Sequence, residues 1–222
     1  MRILALDAAT EACSAALLHE GGVTERFEVI GRGHAERLLP MADELLREGG
    51  VDARALDAVA FGRGPGGFTG IRIAAGIAQG LAAGAGRAIL PISNLAAVAA
   101  GAARAAGASR ILACLDARMG QVYWAAFDFS GDLAVARGAE RLSHPADVAV
   151  TGKGWFGAGH GFGAYPEIRE RLGDALARVD ATVLPHAADI ARLAAANLAA
   201  GMGLPAAQGL PVYLRDDVVH RR

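Results

Sequence analysis

Aromatic side chains supply only 5% of this 222-residue chain, so the core is expected to rest on tightly packed, alanine-rich helices rather than on rings. Cysteine is scarcer still. Cys13 and Cys114 stand alone, with no Cys-x-x-Cys pair, and read as two reduced thiols in apolar runs. No charge of either sign dominates: Lys plus Arg number 22 against 23 for Asp plus Glu, a formal net charge of -1. A chain that grips nucleic acid unaided carries a basic surplus or stripe, and beyond the tail His220-Arg221-Arg222 none is visible, which disfavours such binding by this chain alone. Long apolar runs are missing too. The most apolar stretch, 73–90, is mostly Ala and Gly and is broken by Gln79 and Arg87, whereas a membrane span needs ~20 strongly apolar residues. The opening Met1-Arg2-Ile3-Leu4-Ala5-Leu6 meets Asp7 at once and does not read as a signal peptide. The expectation is a soluble, cytoplasmic protein without membrane association.

What is present is a globular composition, 53% hydrophobic and 20% charged, with strand and helix periods in alternation. Strands are expected at 3–6, 13–18 and 23–29, a helix at 35–47 closed by Gly49-Gly50, a strand at 56–61, a helix at 69–83, a strand at 88–92 and a helix from the N-cap Ser93 to about residue 106. The second half repeats that order in trimmed form, with strands at 111–115, 122–127, 133–137, 148–151 and 182–184 and helices at 166–172 and 188–202. Two tandem βββαβαβα lobes, 1–106 and 107–222, form an α/β, actin-like (ribonuclease-H-like) fold with a reduced second lobe. Asp7 and Asp116 fall at matching places, each ending the first strand of its half.

Several local patterns bear on chemistry. Gly62-Arg63-Gly64-Pro65-Gly66-Gly67-Phe68-Thr69-Gly70-Ile71-Arg72 lies between a strand and a helix, where glycines permit close backbone approach and a helix N-terminus can hold an anion. No Gly-Lys-Ser/Thr follows, so the phosphate-loop pattern is absent and a tight strand-to-helix connection is the better reading. Asp7 and Asp116 sit where an actin-like ATPase orients magnesium, yet Asp7-Ala8-Ala9-Thr10-Glu11 has no glycine to cradle phosphate; turn capping is the cheaper role. No Gly-x-Ser-x-Gly elbow or Cys/His arrangement offers a nucleophile. The stretch 152–163, with Trp155, Phe156, His160 and Phe162, reads as a glycine-rich loop that either lids a site or packs its own aromatics.

Four segments, in order, resemble the TsaB family of the bacterial tRNA threonylcarbamoyladenosine machinery. Gly64-Pro65-Gly66-Gly67-Phe68-Thr69-Gly70-Ile71-Arg72 resembles its G-P-G-S-F-T-G-[LI]-R signature, with Gly67 in place of Ser. Ile3-Leu4-Ala5-Leu6-Asp7-Ala8-Ala9-Thr10 is similar to I-L-x-I-D-T-[SA]-T, with Ala8 in place of Thr. Asp116-Ala117-Arg118-Met119-Gly120-Gln121-Val122-Tyr123 is similar to D-A-R-x-x-x-V-Y, and Pro211-Val212-Tyr213-Leu214-Arg215 to P-x-Y-L-R. The catalytic paralogue, TsaD, carries a His-x-x-x-His metal pair; here His34 is followed at that spacing by Leu38, so the pair is broken.

The resemblance implies a non-catalytic partner of a TsaD-like subunit in threonylcarbamoylation of adenosine 37 of tRNAs reading codons that start with A. It also implies a TsaE-like ATPase as a further partner, a homodimer when the chain is alone, tRNA contact only through the complex, and no cofactor or metal held by this chain alone, with ATP or ADP shared within the complex. The first two helices are expected to form the interface. The helix at 35–47 has two apolar stripes where one suffices for a single-sided helix, and Gly76, Gly80 and Gly84 follow at i+4 steps although each glycine costs a helix ~1 kcal/mol relative to Ala. The expected contact set is Leu38, Leu39, Met41, Ala42, Leu45 and Leu46 from the first helix and Ile73, Gly76, Ile77, Gly80 and Gly84 from the second. The rival readings are a small actin-fold ATPase or sugar kinase and a peptidase acting on its partner.

Overall fold

The computed structural model describes residues 1–130 and 133–215. The first half runs β1 (Ile3–Asp7), β2 (Ala12–His19), β3 (Gly22–Val29), α1 (His34–Glu48), β4 (Ala58–Gly62), α2 (Phe68–Ala85), β5 (Ala88–Ile92) and α3 (Asn94–Ala106). The second half follows with β6 (Arg110–Arg118), β7 (Gln121–Ser130), β8 (Leu133–Ala136), β9 (Arg141–Ser143), β10 (Trp155–Ala158), α4 (Gly161–Ala164), α5 (Glu167–Leu172), β11 (Leu176–Asp180) and α6 (Ala187–Ala199).

The first sheet has the order β3-β2-β1-β4-β5 and the second, read in the matching direction, β8-β7-β6-β10-β11, with β9 added on β7. In both, the first three strands pair antiparallel and the last two join in parallel. The repeated order is the tandem actin-like arrangement.

Alternation along β1 and β4 divides the core of the first sheet. Leu4, Leu6, Val59 and Phe61 face α1 and α2, where Leu38, Met41 and Leu45 meet them. Ile3, Ala5, Ala58 and Ala60 face Ala187, Ile190, Ala191 and Ala194 of α6; small side chains on both surfaces let that helix lie close, as the strand period of two requires. The terminal helices are exchanged between the halves. α6 follows the second sheet in the chain but covers the first, while α3 follows the first and packs Leu95, Val98, Ala99 and Ala102 onto Ile111, Ala113, Leu115 and Phe127 of the second. The two helices touch each other between the sheets.

Two strands lie elsewhere than the sequence suggests. Residues 148–151 form no strand; their place in the sheet is taken by β10, inside the stretch read as a loop. The glycines there mark close approach rather than freedom. A Cβ would fall 2.7 Å from the Phe162 ring at Gly157, 2.3 Å from the Cys114 carbonyl at Gly159 and 2.6 Å from Cys114 Sγ at Gly161. Likewise 182–184 is no strand: Thr182 ends a turn, its N–H donating to Asp180 at 2.9 Å, and the strand is β11 just before it.

Candidate functional site

A cleft of about 1010 Å³ opens between the lobes. One wall is the turn after β1 together with the start of α2; the other is the end of β6 with His160, and residues 212–215 close one side. The four segments singled out in the sequence, carrying Thr10, Gly66 to Ile71, Asp116 to Arg118 with Tyr123, and Tyr213 with Arg215, all line it.

Asp7 lies beneath this wall, fully buried. Asn94 Nδ2 donates to Asp7 Oδ1 at 2.5 Å, the Ala9 N–H donates to Oδ2 at 3.4 Å, and Asn94 Oδ1 accepts the Gly64 N–H at 2.8 Å. Burial pushes the Asp7 carboxyl up to about 7, against those hydrogen bonds. Gly62 leaves room for the pair, since a Cβ there would fall 2.0 Å from Asp7 Oδ1. Asp7 and Asn94 thus anchor the Gly64-Pro65 connection. The other glycines admit the β1–β2 turn: at Gly66 a Cβ would fall 2.5 Å from the Ala9 carbonyl, at Gly70 1.7 Å from that of Ala8, and the Gly67 N–H donates to Ala9 O at 2.7 Å. Backbone of residues 8 and 9 fills the space beside the helix start. Arg72, one turn on, stacks its guanidinium 3.5 Å from the Phe68 ring centroid and donates to the Tyr213 hydroxyl at 2.7 Å.

On the facing wall, Asp116 Oδ1 accepts the Arg118 N–H at 2.7 Å and the Tyr165 hydroxyl at 3.1 Å, and Oδ2 lies 3.3 Å from Arg118 Nη1. The Asp116 N–H donates to His160 Nδ1 at 2.9 Å, which leaves the ring proton of neutral His160 on Nε2, 3.9 Å from Glu11 of the first lobe. Burial lowers the His160 pKa, with Glu11 and Asp116 opposing it. His34 opens α1 and places Nε2 3.0 Å from the Thr10 carbonyl, while Leu38 is sealed in the core. Among the described residues no group of three His, Cys, Asp or Glu has metal-holding geometry. Both thiols are buried, and burial pushes Cys13 up to about 11 and Cys114 higher still. Sequence reasoning missed Asn94, Tyr165 and Glu11; a lone Asn after an N-cap or a Tyr in an irregular stretch carries no periodic signal.

The second feature is the outer face of α1 and α2. Leu38, Met41, Ala42 and Leu45, expected at an interface, are instead at most 1% exposed. Their stripe closes α1 onto β2 and the first sheet, so they are withdrawn from the contact set. Leu39 is 48% exposed, and Leu46, Ile73 and Ile77 are half-buried against the core. Gly76, Gly80 and Gly84 face outward, and a Cβ on any of them would meet nothing within 4 Å. Packing against the chain's own sheet therefore does not account for them.

The class these features define is a two-lobed, actin-like protein, and the family described as tRNA N6-adenosine threonylcarbamoyltransferase, TsaD, matches residues 14–220. The chain is 40% identical to the tRNA threonylcarbamoyladenosine biosynthesis protein TsaB of Escherichia coli K12, over 100% of this chain and 98% of that one. It is 38% identical to the TsaB of Haemophilus influenzae, over 100% and 97%. Among solved structures, YeaZ from Pseudomonas aeruginosa superposes with a TM-score of 0.90 at 49% identity, covering 96% of this chain and 99% of that one. A second, described as an uncharacterized protein from the same organism with similarity to peptidase YEAZ, gives 0.91 at 49% over the same shares. The chain belongs to the TsaB family.

Proposed function

We propose that this chain works in threonylcarbamoyladenosine biosynthesis on tRNA, as a non-catalytic subunit that docks onto a TsaD-type transferase. The relatives' names supply the pathway, and the observation that carries the docking mode is the outward glycine row of α2, with Leu39 exposed on the neighbouring α1. Glycines that cost helix stability and meet no atom of their own chain fit a face that another helix approaches closely. Docking falls to the first lobe, residues 1–106, through Leu39, Leu46, Ile73, Gly76, Ile77, Gly80 and Gly84. A second copy takes the same face when the transferase is missing, and a TsaE-type ATPase joins the assembly.

The modified base is adenosine 37, and tRNA reaches this chain through the complex, in keeping with the near-neutral charge. The chemistry belongs to the transferase. Asp7 is committed to Asn94, Asp116 to Arg118 and Tyr165, and backbone fills the helix start, which supports a reading in which this chain alone holds no magnesium nucleotide and any ATP or ADP is held jointly. Thiols that burial keeps protonated argue against a peptidase built on cysteine. No helix among the described residues is long and apolar enough to cross a membrane, and the working compartment is the cytoplasm.

Reconstituted tRNA modification with and without this chain tests the role. Leu39→Glu tests the face: co-purification with the transferase should be lost while the melting temperature of the free chain holds. Normal co-purification of a folded Leu39→Glu protein would remove the interface assignment.

A further inference from the structure

Beyond α6 the chain runs back along α2 and then crosses to the other lobe. On the first lobe its grip is extensive. Gln79 Nε2 donates to the Gly209 carbonyl at 3.0 Å, and Gly209 sits so close to Ile89 that a Cβ would fall 2.4 Å from its Cδ1. The Val212 N–H donates to the Arg63 carbonyl at 2.8 Å, and Val212 O lies against Gly64, 2.8 Å from where a Cβ would stand. Tyr213 is held by Arg72 and tilts on Phe68, ring centroids 5.6 Å apart. Among the described residues the grip on the second lobe is slighter. Leu214 packs at the edge of the cluster under α3, and Arg215 Nη2 donates to the Ala117 carbonyl at 3.0 Å while Nη1 lies 2.8 Å from Met119 Sδ.

We propose that residues 209–215 are an interlobe strap that sets how far the cleft opens, with Arg215 as its releasable end. The segment passes from Gly64 to Ala117 across the side of the cleft, and residues 212–215 line it. α3 and α6 join the lobes between the two sheets and line none of the cleft, so a tie across the cleft has leverage over the angle between them. The two ends differ in kind. The first-lobe end combines backbone hydrogen bonds, glycines fitted against their neighbours and an arginine–aromatic stack. Among the described residues the second-lobe end is one arginine and one leucine, both half-buried, so strain on the cleft breaks it there first. Other polar contacts also join the halves, among them His160 with Glu11 at 3.9 Å, Arg63 with Glu140 at 3.0 Å and Glu25 with His186 at 2.9 Å; none of these involves the strap's side chains.

The test uses the full chain with spin labels on Glu36→Cys and Ala164→Cys, exposed positions on opposite sides of the cleft, the native thiols being buried. Arg215→Met should lengthen and broaden the interlabel distance, and amides in 8–11 as well as 115–120 should exchange roughly tenfold faster, as expected when a charged donor is lost. Tyr213→Phe, which removes only the hydroxyl, should move both readouts the same way by less. Should Arg215→Met fail to fold, Arg215→Lys, keeping the charge without the fork, and Tyr213→Phe carry the same expectation. An unchanged distance distribution, or faster exchange confined to 117–119 and 212–215, would overturn the strap and leave Arg215 a local contact.

Discussion

Glu25 on β3 binds His186 at the entry to α6: Glu25 Oε2 lies 2.9 Å from His186 Nδ1 and Oε1 accepts the Ala188 N–H at 2.9 Å. Ser14 on β2 accepts the Ala187 N–H at 3.0 Å. Side chains of the first sheet thus satisfy the open N-terminus of a helix that belongs, by chain order, to the second half. The His186 ring also stacks on Phe27, centroids 4.1 Å apart.

This pair makes stability depend on pH. The hydrogen bond to Glu25 raises the His186 pKa above its ordinary 6.5. A group raised in the folded state contributes fully below its unfolded pKa and loses that contribution as pH climbs through the folded one. Urea unfolding should show stability falling from just above pH 6 upward, and Glu25→Gln, which keeps an acceptor for Ala188 but removes the charge, should flatten that fall. An equal slope in the variant would detach the dependence from this contact.

Asp7 acts over a lower window with the same sign. With its carboxyl near 7 in the fold and about 4 in the unfolded chain, the native state holds a proton that the unfolded state has released. Stability therefore declines between roughly pH 4 and 7, by on the order of 4 kcal/mol at most. Asp7→Asn cannot titrate, so wild-type stability minus that of the variant should fall across that interval and stay level above it.

The glycines of α2 divide into two kinds that substitution should separate. Gly70→Ala sets a methyl where the Ala8 carbonyl stands, 1.7 Å away, and should destabilise the chain by about 3 kcal/mol or more, or prevent folding. Gly76→Ala and Gly80→Ala meet open space and should each stabilise the free chain by about 0.5–1 kcal/mol. The same two alanines should weaken binding to the transferase, measured by calorimetry. Gains in melting temperature with unaltered affinity would show that the row serves no close contact.

Neither thiol should react in the native protein. Cys13 and Cys114 are buried, and only the thiolate attacks a disulfide reagent. Titration with an aromatic disulfide should count two thiols in denaturant and none on the same timescale without it.

The chain order of elements was legible, with two second-lobe strands misplaced, because each opening strand alternates or is apolar throughout and α1, α2, α3 and α5 each run into a glycine. The four segments stood out in the sequence, but only the fold shows that Thr10, Gly66, Asp116 and Arg215 line one cleft. Glycine misled in one place and was ambiguous in another. At 157, 159 and 161 it stands in and after a buried strand, because neighbouring atoms leave no space for a side chain, yet it looks like a loop. At 76, 80 and 84 the spacing announced one helix face but not which way the face points. Ala42 shows the same limit: two neighbouring stripes on α1 are equally apolar, and only the position of β2 decides which is covered.

The exchange of α3 and α6 bears on synthesis. The inner surface of the first sheet is complete once residue 92 has left the ribosome, but the helix that covers it is residues 187–199. At about 5–20 residues per second, Ile3, Ala5, Ala58 and Ala60 wait on the order of 5–20 s for their cover. During that interval the half-made chain presents a bare apolar sheet to whatever is nearby, so slow translation of the second half should favour aggregation and chaperone capture.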